Sequence, residues 1–127
     1  MSVLYVGLDH VATLRQAGGS RDPDPVIVAG LAELAGAGGL SLTLGRDRNG
    51  MQERDVRLLR ETGRTVLNVC LPPLDEWVKL ALAVLPDLVT LVSEGREGFV
   101  AERGLDAEDR VPELQPVIET LRSGGIA

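Results

Sequence analysis

The sequence predicts an α/β domain in which four short apolar strands, all parallel, alternate with helices. Three observations point to it. Val- and Leu-rich runs recur along the chain and end at Gly, Pro or a polar loop. Each run is followed by a segment with apolar residues at helical spacing. Finally, 127 residues, 44% of them hydrophobic, suffice for one modest core and one domain. Regular alternation of strand and helix calls for right-handed crossovers and helices over at least one face of the sheet.

The first run, Val3-Leu4-Tyr5-Val6-Gly7, reads as a buried strand that delivers Asp9 and His10 at its C-terminal tip. Strand tips are where such folds place chemistry. A glycine-bearing loop, Gln16 to Arg21, follows, and Asp24 with Pro23 and Pro25 marks a helix start. The first helix is expected from Asp24 to Ala35, with Ile27, Leu31, Leu34 and Ala35 at helical spacing and Gly36 as its stop. Gly36-Ala37-Gly38-Gly39 follows a helix and precedes a strand, the reverse of a phosphate cradle, and reads as a turn.

Leu40 to Leu44 is the second strand, ending in the polar loop Gly45 to Gly50. The second helix, Glu53 to Thr62, buries Val56 and Leu59 and stops at Gly63. Thr65 to Leu71 is the third strand, closed by Pro72-Pro73, which cannot supply ladder donors. The third helix carries Trp77, Val78, Ala81, Leu82 and Leu85 and ends before Pro86. The fourth strand is Leu88 to Val92, followed by a charged loop from Ser93 to Gly104. In the fourth helix Val111, Leu114, Val117, Ile118 and Leu121 share a face; Pro112 suits its first turn, and Pro116 is expected to kink it.

A closed barrel of such units needs eight of them and ~250 residues. This chain has half of each. The expected fold is therefore four consecutive βα units of a TIM barrel, a half-barrel over residues 1–127 with its strands side by side in chain order. The rims of its first and last strands are left unpaired, an association hazard that two copies of the chain would remove by closing one barrel, or that another chain would cover if the sheet stays open. An open doubly wound sheet with helices on both faces is the competing architecture.

The formal net charge of -6, with basic residues scattered among acidic ones, argues against nucleic acid as a partner. Aromatic platforms for bases are nearly absent, with only Tyr5, Trp77 and Phe99. No stretch approaches the ~20 apolar residues of a membrane span and no signal peptide precedes Met1, so a soluble cytoplasmic protein without a membrane partner is expected. Cys70 is alone, which excludes an internal disulfide or a zinc cluster and agrees with a reducing compartment.

The run Asp9-His10-Val11-Ala12-Thr13-Leu14-Arg15, followed by Pro23-Asp24-Pro25-Val26, resembles the opening signature of the pyridoxine 5'-phosphate synthase family. The likeness continues through Arg54-Asp55-Val56-Arg57-Leu58-Leu59-Arg60, Leu67-Asn68, Leu91-Val92 with Glu94 and Arg96, Gly104-Leu105-Asp106 and Gly125-Ile126. It spans about the first half of the family's length. The resemblance implies a barrel that condenses 1-deoxyxylulose 5-phosphate with a phosphorylated aminoketone, using polar groups at the strand tips and no metal or other cofactor.

Carried over position by position, Asp9 and His10 match the pair that holds the pentulose phosphate in that family. The family's Asn before this pair is Gly7 here, and the Arg of its first loop is Gly18. Its catalytic His, substrate-binding Arg and second His after the second strand are Thr43, Gly45 and Gly50. The catalytic Glu after the third strand is Cys70, and the Thr beyond the fourth is Val100. Each missing general acid or base typically costs 100-fold to 10,000-fold. The resemblance thus implies the family's fold without synthase activity in this chain alone.

Two readings compete at each remaining polar residue. His10 beside Asp9 is a general base or phosphate ligand, or else a satisfied histidine that fixes the first loop. Cys70 acts as a thiolate only beside a cation; otherwise it is a small buried residue. Arg15 and Arg21 meet a phosphate or are simply solvated. The candidate binding set is Asp9, His10, Arg15 and Arg21, with His10 and Cys70 the weak catalytic candidates. Arg46-Asp47-Arg48 reads as a surface charge cluster, and Glu94, Arg96 and Glu102 as a loop network. A self-associating half-barrel that binds a phosphorylated metabolite is one expectation. An enzyme completed by a missing half or by oligomerisation is the other.

Overall fold

The computed structural model describes residues 1–45, 50–94 and 104–127. Four strands, β1 (Tyr5–Gly7), β2 (Gly39–Thr43), β3 (Val66–Leu71) and β4 (Leu88–Leu91), form one sheet in the order β1-β2-β3-β4. Every neighbouring pair is parallel, and the register runs Gly7 to Ser41 to Asn68 to Leu88 across the sheet. Five helices accompany them: α1 (Asp9–Gly18), α2 (Pro25–Leu34), α3 (Glu53–Thr62), α4 (Asp75–Val84) and α5 (Val111–Ser123).

Parallel strands in sequential order, joined by crossovers of one hand, place their helices on a single face. Burial follows that rule. Leu40 and Leu42 of β2 and Leu67, Val69 and Leu71 of β3 are buried against Ala29, Val56, Leu59, Trp77, Val78 and Ala81 of the helices. The alternate positions, Ser41, Thr43, Val66, Asn68 and Cys70, are only half-buried, and Thr90 is exposed. A doubly wound sheet has both faces covered and reads as continuous apolar strands. Here the alternation is clean, and the polar face is the one that would line a barrel.

Three sequence expectations need correcting. Residues 9–18 form the ten-residue helix α1, closed by Gly19 at φ 60, rather than a strand tip and loop. Leu8, Ala12 and Arg15, spaced four and three apart, are its buried side. The first strand is not buried: as the outermost strand it leaves Val3, Leu4 and Tyr5 exposed. On α2 the expected core face points outward, with Ile27, Leu31 and Leu34 at 62%, 61% and 86% exposure, while Pro25 and Ala29 are buried. The segment is apolar on both sides, so packing rather than periodicity chose the face.

Elsewhere the elements match. Asp24 caps α2 by accepting from the Val26 amide at 2.9 Å. Helix α3 has the expected bounds. Leu114 and Leu121 anchor α5, which runs on through Pro116, although Val111 and Ile118 lie exposed. Leu85 takes the left-handed C-cap of α4 at φ 57 and is half-exposed rather than core. Among the described residues no helix is long and apolar enough to cross a membrane.

The two sheet edges differ. Leu4 and Leu8 bond toward β2, which turns the main-chain groups of Tyr5 and Gly7 outward. On β4, Ala127 already makes a rung: its amide donates to the Asp87 carbonyl at 3.2 Å and its carbonyl accepts from the Val89 amide at 2.9 Å. Ala127 thus lies opposite Leu88 in the parallel sense.

Candidate functional site

In βα units the helix N-termini and strand C-termini lie at the same end of the sheet, and this rim gathers Asp9, His10, Thr43 and Cys70. Asp9, in the first turn of α1, reaches across to the end of β2. Its two carboxylate oxygens accept from the Thr43 amide at 2.7 Å and the Thr43 hydroxyl at 2.8 Å. The side chain that opens α1 is therefore a brace between β1 and β2. His10, the next residue, is exposed.

Cys70 sits one strand further, paired in register with Thr43 on one side and Thr90 on the other. Its sulfur lies 3.8 Å from both Ser41 Oγ and Asn68 Nδ2, and the Thr90 hydroxyl donates to Asn68 Oδ1 at 2.9 Å. Cys70 is half-buried on the polar sheet face, not a core residue as the small-buried reading had it. Both of these neighbours, Ser41 and Asn68, are neutral side chains. Among the described residues no group of three His, Cys, Asp or Glu side chains is arranged to hold a metal.

Arg15 is neither a loop residue nor solvated. It projects from α1 into the protein at 7% exposure and holds the fully buried Asp55 of α3 with both terminal nitrogens, at 2.9 and 2.5 Å. Nη2 also donates to the Gly50 carbonyl at 2.8 Å. Burial by itself would push the Asp55 carboxyl up, but hydrogen bonds from Arg15 and the Gln52 amide, with the Arg15 and Arg54 charges, hold it below the usual carboxylate range. The hydrogen bonds to Asp55, with the Asp55 and Asp24 charges, raise Arg15 against its own burial. Sequence reasoning had no signal for this pair, because its members stand 40 residues apart.

Gly50 belongs to the same knot. Its φ is +84, and a side chain there would collide with the Ala12 carbonyl of α1. The position where the family resemblance places a second His is thus closed by backbone rather than left vacant.

The four predicted binding residues fall into two groups. Asp9 and His10 begin α1 at the rim. Arg15 and Arg21 line a lateral cleft of about 590 Å³ with Gln16, Gly19, Ser20, Asp24, Gln52 and Arg54, where neither Asp9 nor His10 takes part. Arg54 in that cleft pairs with Asp24 at 3.2 Å and Asp55 at 2.9 Å, so its charge is largely spent. Arg21 is exposed. The Arg46-Asp47-Arg48 cluster, and Arg96, Val100 and Glu102, lie outside the described residues.

Comparison with known proteins gives a consistent answer. A family model described as "Pyridoxal phosphate biosynthesis protein PdxJ" matches residues 4–127. A pyridoxine 5'-phosphate synthase from a Cyanothece species is 50% identical over 126 residues, covering 99% of this chain and 52% of that protein. Those from Geotalea daltonii and Geobacter metallireducens are 46% and 47% identical, each with 53% of its length covered. The chain spans about half the length of the curated relatives it matches.

Proposed function

We propose, from the premise that the chain belongs to the pyridoxine 5'-phosphate synthase family of vitamin B6 biosynthesis, that it is a catalytically silent, self-associating half-barrel that binds a phosphorylated small molecule. The observation that carries the silent reading is the state of the rim. Thr43 and Cys70 stand where the resemblance expects a catalytic His and Glu, and Gly50 is packed too tightly against α1 to admit a second His. Thr43 cannot take up a proton near neutral pH; its hydroxyl instead donates to Asp9. The Cys70 sulfur lies beside the neutral Ser41 hydroxyl and Asn68 amide.

Self-association rests on the outward-facing main chain of the β1 edge and the polar face of the sheet opposite the helices. Metabolite binding rests on His10, exposed at the rim beside Asp9, and on the exposed Arg21 of the lateral cleft, whose wall the paired Arg15 helps to form. A second reading has the family's enzyme, completed by another half-barrel. What favours it is the retained Asp9-His10 pair, held at the rim by Thr43.

Turnover separates the two. Supplied with 1-deoxyxylulose 5-phosphate and 3-amino-2-oxopropyl phosphate, the chain is expected to form pyridoxine 5'-phosphate at least ~10,000-fold more slowly than a full-length relative, because two acid-base groups are gone at ~100-fold or more each. Product well above background would establish the enzyme reading instead.

A further inference from the structure

Resting on the metabolite binding in that reading, we propose that its site is the lateral cleft between the end of α1 and the starts of α2 and α3, and that the ligand is a small hydroxyl-rich organic phosphate. Arg21 is the principal partner of the phosphate, and the neighbouring amide and hydroxyl side chains meet the ligand's hydroxyl groups. Charge is the first support. The guanidinium groups of Arg15, Arg21 and Arg54 on the cleft are met by two carboxylates, Asp24 and Asp55. Arg15 is committed to Asp55, and Arg54 to both acids, so the surplus positive charge falls on Arg21, which is exposed and has no ion pair among the described residues. In a chain of net charge -6 this is a local reversal of sign. The group that carries it presents a planar fork of N–H donors, the geometry that matches phosphate oxygens. Arg54 stands by as a second contact: its terminal nitrogens serve Asp24 and Asp55, while its Nε makes no hydrogen bond among the described residues.

The remaining wall says what the phosphate is attached to. It consists of Gln16, Gly19, Ser20 and Gln52, without one aliphatic or aromatic side chain. The Gln16 amide has no side-chain hydrogen bond among the described residues. Ser20 Oγ accepts from the Asp22 amide at 3.1 Å, which leaves its own proton to donate. Small-molecule sites are as a rule lined mostly by apolar groups. This one offers donors and acceptors and no surface against which a ring could be buried, so it favours a ligand that is polar along its length. Its volume of about 590 Å³ lies in the range of small-molecule sites, far more than a bare phosphate fills. None of the rim residues Asp9, His10, Thr43 and Cys70 lines it, so the cleft is separate from the rim.

Titration calorimetry at low salt tests the assignment, with ribose 5-phosphate as the probe and inorganic phosphate, ribose and pyridoxine 5'-phosphate as comparators. Ribose 5-phosphate is expected to bind, and Arg21→Ala to weaken it by about 10-fold or more, the loss of one charge-assisted contact. Lys79→Ala, which removes an exposed cation of α4 remote from the cleft in sequence, is expected to change the affinity less than about twofold, as a distant screened charge does. Inorganic phosphate, ribose and pyridoxine 5'-phosphate are each expected to bind more weakly than the probe. Binding that survives Arg21→Ala and is lost in His10→Ala overturns the cleft while leaving phosphometabolite binding intact at the rim. An equal loss in Lys79→Ala also overturns the cleft, since it marks general charge attraction. Inorganic phosphate or pyridoxine 5'-phosphate bound as tightly as ribose 5-phosphate overturns the ligand class. No binding of any of the phosphates overturns both the cleft and the reading it rests on. None of these results bears on the silent rim, which the turnover assay tests separately.

Discussion

Asp55→Ala is expected to cost the folded state about 3–5 kcal/mol, because it strands the Arg15 guanidinium at 7% exposure without a counter-charge. The carboxylate also accepts from the Gln52 amide at 2.9 Å and from Arg54, so the start of α3 loosens as well. Arg15→Ala is expected to cost a similar amount, since it leaves Asp55 buried and frees the Gly50 carbonyl that Arg15 now satisfies. Arg15→Met combined with Asp55→Ala is expected to cost less than the sum, as no unpaired buried charge remains. Urea denaturation of the four chains measures this. A loss below 1 kcal/mol for Asp55→Ala would show that the pair does not hold α1 to α3.

The same carboxylate sets an acid limit. A group whose folded pKa lies below its unfolded value stabilises the protein above the unfolded value, about 3.9 for Asp, and loses that contribution as pH falls toward the folded one. Asp55 is held low in this way. Glu33, which accepts from Arg64 and Thr65, is held low too, although burial opposes it. Stability is expected to fall with acid below about pH 4, and Asp55→Ala to flatten that fall.

Gly7→Pro is expected to weaken the proposed self-association while leaving a folded chain. Tyr5 and Gly7 turn their main-chain groups outward on the β1 edge, and proline has no amide to offer a strand that pairs there. The outward direction makes the exchange tolerable within one chain, since Pro is accepted on an edge strand when its nitrogen faces away from the neighbour. No atom lies within 4 Å of a Cβ built at Gly7, so the ring meets no packed side chain. A lost hydrogen bond and an unmet carbonyl cost about 1–3 kcal/mol at each such junction. Dissociation should therefore become roughly 10-fold easier or more. Sedimentation across a concentration series reads it, with circular dichroism to confirm that the monomer stays folded. An unchanged dimer would place the interface elsewhere.

Much of the fold was legible because each unit carries its own local signals. Helix α3 has apolar Val56 and Leu59 at helical spacing between polar ends, and β3 alternates cleanly before Pro72-Pro73, so both emerge from pattern alone. Helix α1 was missed because Asp9 and His10 suggested a strand tip and Gly18-Gly19 a loop. The spacing of Leu8, Ala12 and Arg15 was its signal, obscured by an arginine among the buried residues. Helix α2 was found but turned wrongly, for an element apolar all round has no preferred side until its neighbours are in place. At the site, residue types located the rim, and the family resemblance located the substitutions on it. The destination of each polar group was not readable: Asp9 spends its carboxylate on Thr43, and Arg15 finds Asp55, through contacts that only the folded chain creates.

The proposed self-association of this chain meets its most direct test in light scattering at low micromolar concentration. The expected result is a single species of twice the 13.5 kDa of one chain; a species of one chain's mass across the concentration range would contradict it.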